Sequence, residues 1–201
     1  MASVDWSPMK RVMHEIASVF TAMNLTVVVQ EIDNGHVLRV VLRGEEIASI
    51  TIRRTQGDVR MGEVRMGEVR MGEVPVLQIS TVEVMESYRG KGVGQLLVVY
   101  ALAFEKADDI HYSILDDDSD RSAALRGNIY ASIGYEFVKP PTRTKRIDGV
   151  DVWELHGPER QLHLDEAFLK RVTDIVARRK STHVTFGKRS KSKRSKSKKY
   201  F

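Results

Sequence analysis

The sequence predicts an α/β domain built on a mixed, mostly antiparallel sheet flanked by helices, followed by a C-terminal helix and a disordered basic tail. Three observations carry that prediction. Segments with helical periodicity alternate with short β-rich segments. The first three β-rich segments follow one another across turns too short for a crossover, which makes that part of the sheet antiparallel. Residues 188–199 (KRSKSKRSKSKK) hold no acidic or apolar residue that could help order them.

In chain order, Ser7 and Pro8 supply an N-cap and a proline at the first helical position. The stripe Met9, Val12, Met13, Ile16, Phe20 and Met23 then gives an amphipathic helix ending near Asn24. Leu25 to Glu31 is dense in β-branched residues, Asp33-Asn34-Gly35 supplies a turn, and His36 to Arg43 alternates again before Gly44-Glu45-Glu46 turns into Ile47 to Arg53. Residues 57–76 are four tandem pentads, GDVRM, GEVRM, GEVRM and GEVPV. Five matches neither helical nor strand periodicity, so the segment is expected to be an expanded hairpin loop, tolerated because closure entropy grows slowly with length.

Val76 to Met85 reads as another strand, and Gly92 opens a helix with Val93, Leu96, Leu97, Tyr100, Ala101 and Phe104 on its apolar face. Ile110 to Leu115 is a short strand. Asp116 to Asp120 is an acidic turn before a helix carrying Ala123, Ala124, Leu125, Ile129 and Ile133, closed by Gly134. Tyr135 to Lys139 is a strand broken by Pro140-Pro141, and Val150 to Leu155 is expected to be the last. The domain is thus drawn over 1–158. A C-terminal helical unit is drawn over 159–180, its helix running from Leu164 to Arg179 with Leu164, Phe168, Val172 and Ile175 as its stripe, docking on the domain or pairing with another chain. The tail is drawn over 181–201.

Composition narrows the function classes. At 201 residues and 42% apolar the chain can bury one core plus a tail. It has no cysteine, which excludes a disulfide scaffold, a thiolate-ligated zinc and a thiol nucleophile. The six histidines fall in no ligand spacing, so no metal is expected. Residues 1–10 lack a signal pattern and no run approaches a membrane span, so the expectation is a soluble, intracellular protein with no membrane partner. The net charge of +5 belongs to the tail: 188–199 hold eight Lys or Arg, leaving −3 for the rest. That tail has three readings: a nucleic-acid contact, a localisation signal that would make the protein nuclear rather than cytoplasmic, or a solvated extension.

The segment that carries chemistry is Val82 to Leu97, where a β-rich strand runs into Gly90, Gly92 and Gly94 and then an amphipathic helix. Bare glycines let a ligand approach the backbone, and the first N–H groups of the helix have no intrahelical partner. With the positive end of the helix dipole and the flanking Arg89 and Lys91, they form an anion site suited to a pyrophosphate. The alternative is three glycines turning a corner. A dinucleotide fingerprint fails because the third glycine position counted from Gly90 is Gln95, and a P-loop fails because Gly90-Lys91-Gly92 lacks the hydroxyl and the spacing.

The pattern R/Q-x-x-G-x-G/A is met by Arg89, Gly92 and Gly94, and a second stretch runs from Asn128 through Tyr130 and Gly134-Tyr135 to Phe137. On these two motifs, in their usual order and about their usual separation, the sequence resembles the GNAT superfamily of N-acyltransferases, specifically over Val76 to Lys139. The resemblance implies an acetyl-CoA-dependent N-acetyltransferase acting by direct transfer. Val84, Met85 and Glu86 would pair with the pantetheine arm, the Val84 N–H would face the thioester carbonyl, and Arg89, Gly90, Lys91, Gly92, Val93 and Gly94 would hold the pyrophosphate. Tyr130 matches the tyrosine that protonates the leaving thiolate, a role a phenol can fill because it ionises only near pH ~10; its other reading is packing. For the base that deprotonates the amine, Glu83 comes first and Asp118 second. Where many members carry an asparagine seven residues before that tyrosine, this chain has Ala123. The acceptor is expected to be a polyamine, a small amine or a protein lysine, favoured by the acidic turn. A non-catalytic acyl-CoA-binding or partner-binding module, tethered to nucleic acid by its tail, is the competing class.

Overall fold

The computed structural model describes residues 7–65, 68–116, 129–138, 142–147, 150–154 and 159–192. Helix α1 (Ser7–Ala22) buries Met9, Val12, Ile16, Val19 and Phe20. It stops where Asn24 takes a left-handed φ of 59° and the Leu25 N–H donates back to the Phe20 carbonyl at 2.8 Å. Strands β1 (Thr26–Ile32), β2 (Gly35–Leu42) and β3 (Glu45–Arg65) form successive antiparallel hairpins, the first turning at Asn34 with φ 58°.

The pentads are not a loop. They form the outer half of a long hairpin between β3 and β4 (Glu68–Val84), in which Gly57 lies opposite Val74, Val59 opposite Gly72, and Asp58 opposite Glu73. Over these inner rungs one pentad pairs with another run antiparallel, Gly57 and Gly72 each meeting a valine across the ladder, before the register shifts between Met61 and Arg65. A five-residue period hides the two-residue alternation of a strand. The base of this arm is part of the fold, with Val59 fully buried.

A 3₁₀ turn, Glu86–Tyr88, leads to helix α2 (Val93–Glu105), buried along most of its length. Strand β5 (Tyr112–Asp116) follows, then α3 (Ile129–Ile133) and β6 (Glu136–Phe137). Strands β7 (Thr142–Ile147) and β8 (Val150–Glu154) make a separate two-stranded sheet, so Val150 to Leu155 is not the last strand of the main one. That place goes to β9 (Glu159–His163), in a stretch expected only to lead into the C-terminal helix. It sits between β5 and β6, antiparallel to both, giving the order β1-β2-β3-β4-β5-β9-β6. Polar letters concealed it: Arg160 and Gln161 are buried, and the Arg160 guanidinium stacks 3.8 Å from the Phe137 ring centroid.

Helix α4 (Glu166–Ser192) starts two residues later than its apolar stripe suggested. Leu164 is buried ahead of the helix, and Asp165 caps it by accepting the Phe168 N–H at 2.8 Å. Its C-terminal end lies beyond the expected Arg179, reaching the first part of the basic run. Phe168, Val172, Ile175 and Val176 pack into the same core as α1 and α2, so the helix docks on the domain. Among the described residues, no helix is long and apolar enough to cross a membrane.

Candidate active site

The site begins with a break in strand pairing. Strand β4 runs parallel to β5 only over Val76 to Ile79, while its pairing with β3 continues to Val84. Between those segments the register against β3 jumps, Ile52 facing Ile79 and Thr51 facing Thr81, which leaves Ser80 as an extra residue. Such a bulge bends the strand that carries it. It coincides with the point where β4 leaves β5, and it keeps Val82 and Val84 on the apolar face with Ile50 and Ala48 after the count has slipped by one.

The consequence is a V-shaped opening with two different faces. Met85 N–H donates to the Ile47 carbonyl at 2.9 Å, which makes Ala48 and Val84 a non-hydrogen-bonded pair. The Val84 N–H therefore turns away from β3, toward the side β5 has vacated. The Val84 side chain meets α2, whereas Thr81 and Glu83 project to the other, exposed face, where Thr81 Oγ1 and Thr51 Oγ1 share a hydrogen bond of 3.1 Å.

Past the strand, the 3₁₀ turn uses up the Tyr88 and Arg89 amides, bonded to the Met85 and Glu86 carbonyls at 2.8 and 3.1 Å. The next backbone donors are different. Among the described residues, none of the N–H groups from Gly90 to Gln95 has a backbone partner, and the ladder of α2 starts only with Leu96 N–H to the Gly92 carbonyl at 3.1 Å. Gly90 and Gly92 take φ of 72° and 84°, the left-handed region in which a side chain is strained, and both line the opening.

The cleft that results has a volume of about 1360 Å³. Of the residues singled out in the sequence, Glu83, Val84, Met85, Arg89, Gly90, Gly92, Val93, Gly94 and Tyr130 line it together. Glu86, exposed in the 3₁₀ turn, and Lys91, whose ammonium lies 4.7 Å from the Tyr88 ring centroid, are not among its lining residues. The Arg89 side chain does not extend freely either: its Nε donates to the Val84 carbonyl at 3.0 Å, tying the turn back to the strand. Asp118, Ala123, Asn128 and the basic run after Ser192 lie outside the described residues.

Tyr130, on α3, is half-buried and packs edge-on against Tyr135 with ring centroids 6.0 Å apart. Tyr135 is the structural member of the pair. Its hydroxyl shares a 2.6 Å hydrogen bond with Ser113 Oγ, which donates to the Leu77 carbonyl at 2.7 Å. Burial pushes its phenol well above the ordinary tyrosine range. Three further residues of the cleft went unnoticed in the sequence. Gln95 follows the last glycine and donates from Nε2 to Ser132 Oγ at 2.7 Å, and Arg179 of α4 donates to Gln95 Oε1 at 3.2 Å. Gln95 was legible as the first polar position after the turn; Ser132 and Arg179 carried no spacing signal.

The turn fits a phosphate-bearing group on its own geometry: a row of unpartnered amides, two left-handed glycines, and a Gly94 whose missing Cβ would sit 3.0 Å from Val84 Cγ2. Comparison with known proteins agrees in kind. Residues 13–126 match the acetyltransferase (GNAT) family. No curated protein matches the chain. Among solved structures it is similar to the NatC complex bound to Gag peptide and CoA, with 18% identity, 64% of this chain and 71% of that chain covered, and a TM-score of 0.41. It is also similar to Arabidopsis thaliana Naa50 in complex with the bisubstrate analogue CoA-Ac-MVNAL, with 16% identity, coverage of 64% and 72%, and a TM-score of 0.39. A GNAT-family acetyltransferase from Streptococcus pneumoniae matches with 17% identity, coverage of 67% and 70%, and a TM-score of 0.42.

Proposed function

The chain belongs to the acetyltransferase (GNAT) family, and on that premise we propose that it transfers an acetyl group from acetyl-CoA directly to a primary amine of a small molecule or a protein. The observation that supports this most is the run of unpartnered amides from Gly90 to Gln95 opening on the cleft. Acetyl-CoA, when bound, supplies the activated acyl group and the thiolate that leaves.

The chain's own residues divide the remaining work. The amides at the start of α2 and the positive end of its dipole hold the pyrophosphate. The Val84 N–H, turned into the V, is a preorganised donor for a carbonyl oxygen whose charge grows during the reaction. Tyr130 gives its phenolic proton to the departing sulfur, because it lines the same cleft as the turn. Glu83 takes the proton from the attacking amine: it lines the cleft on the exposed face of β4, opposite the face that meets α2. An open carboxylate-bearing face admits a cationic acceptor, a polyamine, a small amine or a lysine side chain.

The test is a thiol-release assay with acetyl-CoA and a panel of amines and peptides. Release that depends on one acceptor class supports the enzyme; release equal with and without every acceptor, or none at all, overturns it.

A further inference from the structure

We infer that Arg179, on helix α4, is a phosphate-binding residue of this site and supplies the side-chain cation that the glycine turn itself lacks. This rests on the reading of the turn as a pyrophosphate seat and adds to it a residue 85 positions beyond the last motif glycine.

The first observation is proximity. A Cβ built on Gly92 would lie 2.3 Å from Arg179 Cζ and 2.6 Å from its Nε and Nη2. The guanidinium is therefore laid against the bare Cα of the residue that caps α2, a position only a glycine leaves open. Gly92 is fixed on two counts, by its φ of 84° and by this approach.

The second observation is what Arg179 does not have. Its side chain is bonded to a neutral amide, Gln95 Oε1 at 3.2 Å, and among the described residues no carboxylate stands within ion-pair distance of it. Other arginines are satisfied differently: Arg54 Nε lies 3.1 Å from Glu105 Oε2, and Arg39 Nε 3.0 Å from Glu46 Oε2. A half-buried guanidinium held by a single neutral acceptor keeps most of its donors for an anion.

The third observation is how it is aimed. Gln95 donates to Ser132 Oγ at 2.7 Å, and Ser132 Oγ donates to the Ile129 carbonyl at 2.6 Å, so α2, α3 and α4 meet in one polar chain that ends at the Arg179 guanidinium. Arg89 and Arg179 are the cations among the described residues that line the cleft, and the Arg89 Nε is spent on the Val84 carbonyl. The helix dipole contributes only about half a charge. A planar fork set over the same turn completes the neutralisation and fits phosphate oxygens two at a time.

Calorimetry on the full chain tests this with two ligands, coenzyme A and its dephospho form lacking the 3′-phosphate. Arg179→Gln, which removes the charge and keeps a polar side chain, is expected to weaken both ligands alike, by roughly ten- to a hundredfold, with a shallower salt dependence than the wild type. Arg179→Lys, which keeps charge but not the fork, is expected to fall between and serves as the second variant. Arg179→Gln and Arg179→Lys binding both ligands as tightly as the wild type overturns the inference while leaving the turn intact. A loss confined to coenzyme A overturns the pyrophosphate assignment in favour of the 3′-phosphate. A wild-type chain that gives no heat with either ligand removes the pyrophosphate seat, and this inference with it.

Discussion

Gly90 and Gly92 differ in one respect that makes them a matched pair of probes. Both hold a left-handed φ, 72° and 84°, but a Cβ on Gly90 would meet nothing within 4 Å, whereas one on Gly92 would run into the Arg179 guanidinium. Alanine at either site carries a backbone cost of about 1–2 kcal/mol. For a chain of this size that lowers Tm by roughly 2–8 °C. At Gly92 the added methyl is also expected to displace Arg179, the far end of a flexible side chain, so the extra cost to folding is small while the cost to binding is not. Losing one charge-assisted contact weakens an anion by about 1.5–3 kcal/mol, or roughly ten- to a hundredfold in Kd. The expected result is therefore similar melting temperatures for Gly90→Ala and Gly92→Ala, with the larger rise in Kd for coenzyme A in Gly92→Ala. Combining Gly92→Ala with Arg179→Gln should add little further loss, since both remove the same contact. Thermal melts and calorimetry measure the two quantities separately. Equal Kd values for the two single variants would refute the reasoning, as would full additivity in the double variant.

Other expectations follow from the same geometry. Tyr130→Phe should lower kcat by roughly a hundredfold or more with little change in the Kd for acetyl-CoA, and equal steady-state rates would remove its role as an acid. Excising residues 62–71, two pentads, with Arg60→Asn and Met61→Gly to close the turn, leaves Gly57 opposite Val74 and Val59 opposite Gly72. Turnover should persist and Tm should move by only a few degrees; an unfolded product would show that the outer rungs matter to the core. Gly57→Ala, by contrast, places a methyl 2.9 Å from both Ile114 Cδ1 and Val76 Cγ2 and should cost about 1–3 kcal/mol in a denaturant titration. Burial, more than any other influence, holds the Tyr135 phenol above its ordinary value of 10.0. The folded state thus keeps a proton that the unfolded state gives up, so the stability Tyr135 contributes is complete below pH ~10 and falls by about 1.4 kcal/mol per pH unit above it. Melts from pH 9 to 11 should show a shallower decline for Tyr135→Phe than for the wild type, and parallel curves would contradict the assignment.

The sequence alone determined what depends on neighbours along the chain. The glycine turn and the helix after it were legible because backbone strain and free amides are local properties of Gly90, Gly92 and the residues that follow. The hairpins of β1 to β3 and the burial of α1 were legible for the same reason: turn residues and periodicity are written in consecutive positions. Tertiary structure alone decided what depends on distant partners. The pentads became strand because one copy pairs with another across the arm. Arg160 and Gln161 entered the central sheet because β5 and β6 satisfy their backbone on both sides. The bulge at Ser80 lies where pairing with β5 ends and pairing with β3 resumes in a shifted register, so the V depends on two strands remote in sequence. Arg179 reached the turn only because Phe168, Val172, Ile175 and Val176 seat its helix in the core. Such contacts join residues separated by many positions, and no period or spacing within a single stretch of chain records them.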